Sequence, residues 1–186
     1  MSIVLNGTTG VTTPDITSTT STLGALTQAL DLGSTGQIQF PATQNASSNA
    51  NTLDDYEEGT FTPTISAATS GVVTYNSQSG KYTKIGNAVS VVIEVSFNKN
   101  TAVGNLSLGG LPFANNSSFS CRGITFDWFQ PSGTAMVTTH ALLPANGTSM
   151  PLYGLTAANA DGTGRAWVAS DISSLGYCQM TFTYLI

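Results

Sequence analysis

The chain is poor in charge, and poorest in cations. Charged residues make up 8% of its 186 positions, against roughly 25% in an ordinary soluble domain. Lysine and arginine number five in all, and the formal net charge is −5. Recognition of nucleic acid through its phosphates needs clustered cations, so that class of function is excluded. Docking on anionic lipid is excluded on the same ground. No apolar run approaches 18 residues, so no membrane insertion is expected. The opening Met1-Ser-Ile-Val-Leu-Asn-Gly7 has neither a basic start nor a long apolar centre. It is not expected to act as a secretory leader.

Groups that usually carry chemistry are equally scarce. There is one histidine, His140, set in an apolar strand-like stretch between Thr139 and Ala141. No Gly-x-Ser-x-Gly elbow accompanies it, so it reads as structural and not as the base of a triad. The two cysteines, Cys121 and Cys178, both fall in strand-like segments. Free buried thiols are the simpler reading without an oxidising compartment, and a Cys121–Cys178 pairing stays open. There is no histidine pair and no Cys-x-x-Cys, and Asp161-Gly-Thr-Gly164 reads as a turn, not a calcium loop. No glycine-rich loop with a following lysine is present. The densest acids are Asp54, Asp55, Glu57 and Glu58. Such close carboxylates repel one another and are expected to stay in water, pointing in different directions. Asp127, Asp161 and Asp171 are scattered. A pair of carboxylates held across a sugar bond is therefore not expected. The expectation is a non-enzymatic protein with no catalytic residue, no metal and no cofactor.

What replaces charge is Thr, Ser, Asn and Gly. Residues 1–53 hold only two charged side chains, Asp15 and Asp31, and no lysine or arginine. Apolar anchors there are thin, and Ile3, Val4, Leu5, Val11 and Ile16 are too few for a core. Ser21 is placed to cap a short helix carrying Leu23, Leu26 and Leu30, one heptad long. That element suits either a small three-helix collar or a single turn packed on its own chain. Gln37-Ile-Gln-Phe40 alternates like a strand ended by Pro41. Residues 41–52 have linker composition. The first 53 residues thus read as an extended arm, with a flexible low-complexity linker as the alternative.

From residue 54 onward strands dominate. Expected strands are 60–66 around Pro63, 72–75, 81–85, 89–97, 106–108, 123–129, 135–143, 152–155, 165–168 and 177–184, with Gly86-Asn87 as a hairpin corner. In 123–129, Ile124, Phe126 and Trp128 alternate onto one face. Turn signals about every ten residues point to an antiparallel sandwich of jelly-roll type spanning 54–186. Tyr56 and Phe61 flank the acidic step as anchors. Tyr82 and Ile85 are expected to share one face, with Lys81 and Lys84 at the surface. Pro112 and Phe113 are expected to turn the chain and plug a corner. Loops offer aromatic and amide groups of the kind that hold sugars, namely Asn115, Asn116, Trp128, Asn146, Tyr153, Asn159, Asp161 and Trp167. None is singled out.

Several stretches in one order resemble bacteriophage tail-fibre-type virion proteins. They are Leu5-Asn-Gly-Thr-Thr-Gly-Val-Thr-Thr-Pro14, Thr52-Leu-Asp-Asp-Tyr-Glu-Glu-Gly-Thr-Phe-Thr-Pro-Thr-Ile65, Gly80-Lys-Tyr-Thr-Lys-Ile-Gly-Asn87 and Gly110-Leu-Pro-Phe113. The resemblance implies a structural protein of the virion, usually a homotrimer, joined to other virion proteins of tail or capsid through its N-terminal part. It implies an outward C-terminal β domain, with a host-surface glycan as a possible partner. It implies no catalytic residues. The chain is short for a fibre, so a head decoration or cement protein that stabilises the capsid is the alternative.

Overall fold

The computed structural model describes residues 34–186 apart from 35, 44–46, 50, 54, 126, 132–135 and 157–163. The chain divides after Gln39, and the second unit runs Phe40–Ile186. The collar expected around Leu23, Leu26 and Leu30 lies outside the described residues.

Eleven strands follow one another along the second unit. They are β1 (Tyr56–Phe61), β2 (Thr64–Ala67), β3 (Thr74–Ile85), β4 (Ala88–Asn98), β5 (Leu106–Gly109) and β6 (Cys121–Ile124). Then come β7 (Asp127–Pro131), β8 (Met136–Leu143), β9 (Met150–Thr156), β10 (Arg165–Ala166) and β11 (Ile172–Leu185). They form two antiparallel sheets. The first has the order β1-β3-β4-β11-β7 and the second β2-β5-β9-β8-β6, with β10 added on β9. The fold is the all-β antiparallel sandwich that the strand pattern suggests.

Its core follows from alternation with period two. In β4, Val89, Val91, Ile93, Val95 and Phe97 are fully buried, while Ser90, Val92 and Glu94 between them face out. Leu106 and Leu108 of β5, Leu143 of β8, and Met150 and Leu152 of β9 meet them from the second sheet. Each such side chain stabilises the fold by about 1.5–3 kcal/mol. Between β3 and β4, Ile85 pairs with Ala88 across Gly86 and Asn87. Gly86 takes a φ of 56° there, which suits the first central position of a two-residue hairpin.

Several expectations need correction. The expected strand over 60–66 is two strands in different sheets. Proline at 63 has no N–H to donate and a fixed φ, and the chain crosses between sheets at that point. The expected strand over 123–129 divides likewise, β6 joining the second sheet and β7 the first. Ile124 and Trp128 therefore do not lie on one strand face. Gln37–Phe40 is not a strand. Pro41 restricts the residue before it, and the Phe40 ring sits 6.3 Å from the Tyr56 ring. Residues three apart in a strand lie on opposite faces, so Tyr82 shares its inward face with Lys84, and Ile85 is exposed. Lys84 is accordingly buried, not at the surface. Asp55 is also buried, so the acidic step is not wholly in water.

Candidate functional site

The stretches from 52–65, 80–87 and 110–113 converge in space. All six residues of β1 pair with Gly80–Ile85, from Tyr56↔Ile85 to Phe61↔Gly80. Two glycines in this ladder lie under aromatic rings of the partner strand. Tyr82 covers Gly59 and Phe61 covers Gly80, with ring atoms 2.8 Å from where a β-carbon would stand. Phe113 meets Tyr82 edge-on at 5.3 Å, and its carbonyl accepts the Tyr184 hydroxyl at 3.0 Å. Burial pushes the Tyr184 phenol up to about 12. The Lys84 ammonium stands 5.7 Å from the Phe113 ring centre and pairs with the Asp55 carboxylate. The Asp55 carbonyl in turn accepts the Gly86 N–H at 3.1 Å. Phe113 plugs a corner as the sequence suggests. These stretches specify packing, and Glu58, Thr60, Lys81 and Thr83 among them also line a shallow cleft of about 450 Å³ on the outer face of the first sheet.

Three further acids are also engaged. Glu57 accepts the Tyr82 hydroxyl at 2.5 Å and Glu58 accepts that of Tyr56 at 2.9 Å. Both phenols are raised above the ordinary tyrosine value, chiefly by those hydrogen bonds. Asp171 makes two hydrogen bonds to Arg165, at 2.8 and 2.7 Å, and accepts the Val168 N–H. Those bonds to Asp171 hold the Arg165 guanidinium above its usual value. The thiols of Cys121 and Cys178 are both free of disulfide, and burial pushes Cys121 up. Among the described residues no three His, Cys, Asp or Glu converge as metal ligands. Among them, too, no helix is long and apolar enough to cross a membrane.

Of the sugar-holding candidates, four are structural. Trp167 is 1% exposed and belongs to the core. Asn115 is buried, its amide donating to the carbonyls of Phe119, Leu143 and Pro144. Asn116 closes a local turn by accepting the Ser118 N–H. Asn146 holds a loop at a φ of 57°. The Trp128 side chain, Asn159 and Asp161 lie outside the described residues. Tyr153 is the exception. It faces His140 directly across β8 and β9, the two rings stacked 5.5 Å apart with planes 16° from parallel. Both are half-buried.

Beside this stack is an open cleft of about 220 Å³, lined by Arg122, His140, Ala141, Leu142, Tyr153 and Gly164. It sits on the outer face of the second sheet. Ala141 and Leu143 point inward, so His140 and Leu142 point out. Arg122 comes from β6, the edge strand next to β8. The apolar surroundings of His140 in sequence conceal its outward position. Arg122 drew no attention in the sequence. Its signal was that no acid lies within four positions of it.

A second surface lies on the outer face of the first sheet. Tyr56, Ile85, Ala88 and Leu185 form one row across β1, β3, β4 and β11. Tyr56, Ile85 and Leu185 are 42, 52 and 46% exposed, and no charge stands among them. The row marks the end of the sheet at which the N-terminal segment enters β1.

No family model and no curated protein matches the chain. Among solved structures, the crystal structure of the Dettilon tailspike protein (gp208) is similar, with a TM-score of 0.56 and 22% identity. The match covers 70% of this chain and 24% of that one, so the chain spans about a quarter of the protein it resembles. At that identity the likeness establishes the fold.

Proposed function

We propose that the chain is a non-enzymatic structural subunit of a bacteriophage virion, a tail appendage that assembles as a homotrimer. It joins other virion proteins through its N-terminal arm and turns its sandwich toward a host-surface glycan. The observation that carries this reading is the two-sheet sandwich shared with a tailspike protein. Three features support it. An arm with two charges in 53 residues loses little hydration when covered by other chains. Its threonine-rich backbone suits strand addition to a neighbour. The apolar row Tyr56–Ile85–Leu185 is placed beside the entry of that arm, as fits contact with a second copy. The exposed part of the row is on the order of 300 Å², against roughly 800 Å² per partner in a stable interface, so the arm supplies the remainder. Engagement of Asp55, Glu57, Glu58 and Asp171 in ion pairs and tyrosine hydrogen bonds supports the non-enzymatic reading.

The test is deletion of the gene product from the particle. Virions lacking it are expected to keep their heat and salt resistance and to fail in adsorption. Loss of resistance with normal adsorption would overturn the tail reading in favour of a capsid cement. The mass of the purified full chain in solution is expected to be that of a trimer. A monomer at micromolar concentration rejects the assembly.

A further inference from the structure

We propose that the cleft beside the His140–Tyr153 stack takes one acidic sugar unit, with its carboxylate on Arg122. This rests on the surface-glycan reading above and adds the class of saccharide and the residues that select it. The first observation concerns cations. The chain has five. Lys84 is paired with Asp55, Arg165 with Asp171, and Lys99 donates to the Ile172 carbonyl at 2.6 Å. Lys81 and Arg122 are both exposed and meet no carboxylate among the described residues, and Arg122 is the one beside the stack. An arginine with no acid partner among the described residues is open to an anion from outside. Its planar fork matches a carboxylate through two parallel hydrogen bonds.

The second observation is the lining. None of the six described residues that line the cleft is acidic, so none of them repels an anion. Its volume of about 220 Å³ is below the roughly 300 Å³ at which drug-sized pockets begin, which leaves room for one ring. The third observation is rigidity. His140 and Tyr153 are fixed by the ladder and by their stacking. Gly164 lies against the imidazole, where a β-carbon would come within 2.8 Å of Cε1. An aromatic wall already in place suits the apolar C–H face of a pyranose and spares the ordering of loose side chains on binding. The cation then selects a sugar that carries a carboxylate over a neutral one.

The experiment titrates the full-length protein with oligosaccharides ending in glucuronic acid or N-acetylneuraminic acid, and with a neutral glucose-ended oligosaccharide of equal length. The acidic sugars are expected to bind about tenfold tighter than the neutral one or better, and to weaken with salt. Arg122→Gln is expected to remove that preference. Because Arg122 is exposed, the substitution leaves the core untouched. Lys81→Gln, on the outer face of the first sheet, is expected to change affinity less than about twofold. Equal binding of neutral and acidic sugars, unaffected by Arg122→Gln, overturns the acidic site and leaves the glycan reading standing. Absence of binding by any of the saccharides overturns both.

Discussion

Removing Lys84 tests how the acidic step is held to the sandwich. Asp55 and Lys84 are each 4% exposed, and their side chains face each other beneath the hairpin corner. Breaking a buried pair on one side costs about 3–5 kcal/mol, because the remaining charge keeps its desolvation without its partner. The two sides are not equivalent here. If Asp55 becomes Asn, the Lys84 ammonium still stands 5.7 Å from the Phe113 ring, which offsets on the order of 1–2 kcal/mol. If Lys84 becomes Met, the Asp55 carboxylate has no second cation beside it among the described residues. Lys84→Met is therefore expected to cost about 4 kcal/mol and Asp55→Asn about 2. The double variant Asp55→Asn/Lys84→Met, with both charges gone and volumes kept, is expected within about 1 kcal/mol of the parent. Urea unfolding at fixed chain concentration measures this. With a slope near 2 kcal/mol/M, Lys84→Met shifts the midpoint by about 2 M. A midpoint for Lys84→Met within about 0.3 M of the parent, or a double variant as weak as its worse single, would refute the reasoning.

Other expectations follow from the same packing. Gly80→Ala puts a methyl 2.8 Å from ring atoms of Phe61 and is expected to cost about 1–3 kcal/mol; the loss should be smaller in a Phe61→Leu background, since the ring is the obstacle. Tyr184→Phe removes the hydrogen bond to the Phe113 carbonyl and is expected to cost about 1 kcal/mol at pH 8. The raised phenol binds its proton more tightly in the fold, so its contribution is full below pH 10 and is lost as pH rises toward 12. The gap between parent and Tyr184→Phe in urea should thus narrow between pH 8 and pH 11, and a constant gap refutes the assignment. Ile85→Glu with Leu185→Glu places two charges in the exposed apolar row and is expected to convert the proposed trimer to monomers by light scattering, with unchanged circular dichroism; an undiminished mass removes the row from the interface.

Much of the sandwich was legible in the sequence, and the reasons are local. Val89 to Phe97 alternates without a break, and every inward member is fully buried. Gly86-Asn87 marks its hairpin because a glycine is needed at a φ of 56°. The glycine-aromatic stretches were recognisable because they are one object: Gly59 needs Tyr82 and Phe61 needs Gly80, each across the same ladder. Crossings between sheets were illegible. Pro63 and the break near residue 125 interrupt segments whose composition is strand-like on both sides. Charge misled the reading of Lys84 and Asp55, since the rule that charges stay in water gives way when two of them meet with a ring alongside. The cleft was half visible. Tyr153 was among the candidates, but His140 was read as structural, and the approach of Arg122 depends on pairing between β6 and β8 that no local signal encodes.

The two outer faces of the sandwich differ in a way that bears on how such a subunit would work. Across the first sheet the rows read Glu58-Thr83-Ser90-Thr183 and Thr60-Lys81-Val92-Thr181. Hydroxyls and β-branched side chains dominate, and the apolar row closes one end. A face of this kind can be covered at small cost in desolvation. The second sheet instead bears the cleft and its arginine. One sugar-sized site with a single cation holds its ligand at an affinity on the order of millimolar, about 4 kcal/mol. That is too weak to fix a particle by itself. In the proposed trimer, covering the first face brings three clefts together on one body, and linked sites gain roughly 10²–10⁴ in avidity without any new contact. On this proposal, assembly through the hydroxyl-rich face and weak recognition through the one that bears the cleft would be two parts of a single device. A chain so poor in charge suits the first, and its exposed arginine, which meets no acid among the described residues, suits the second.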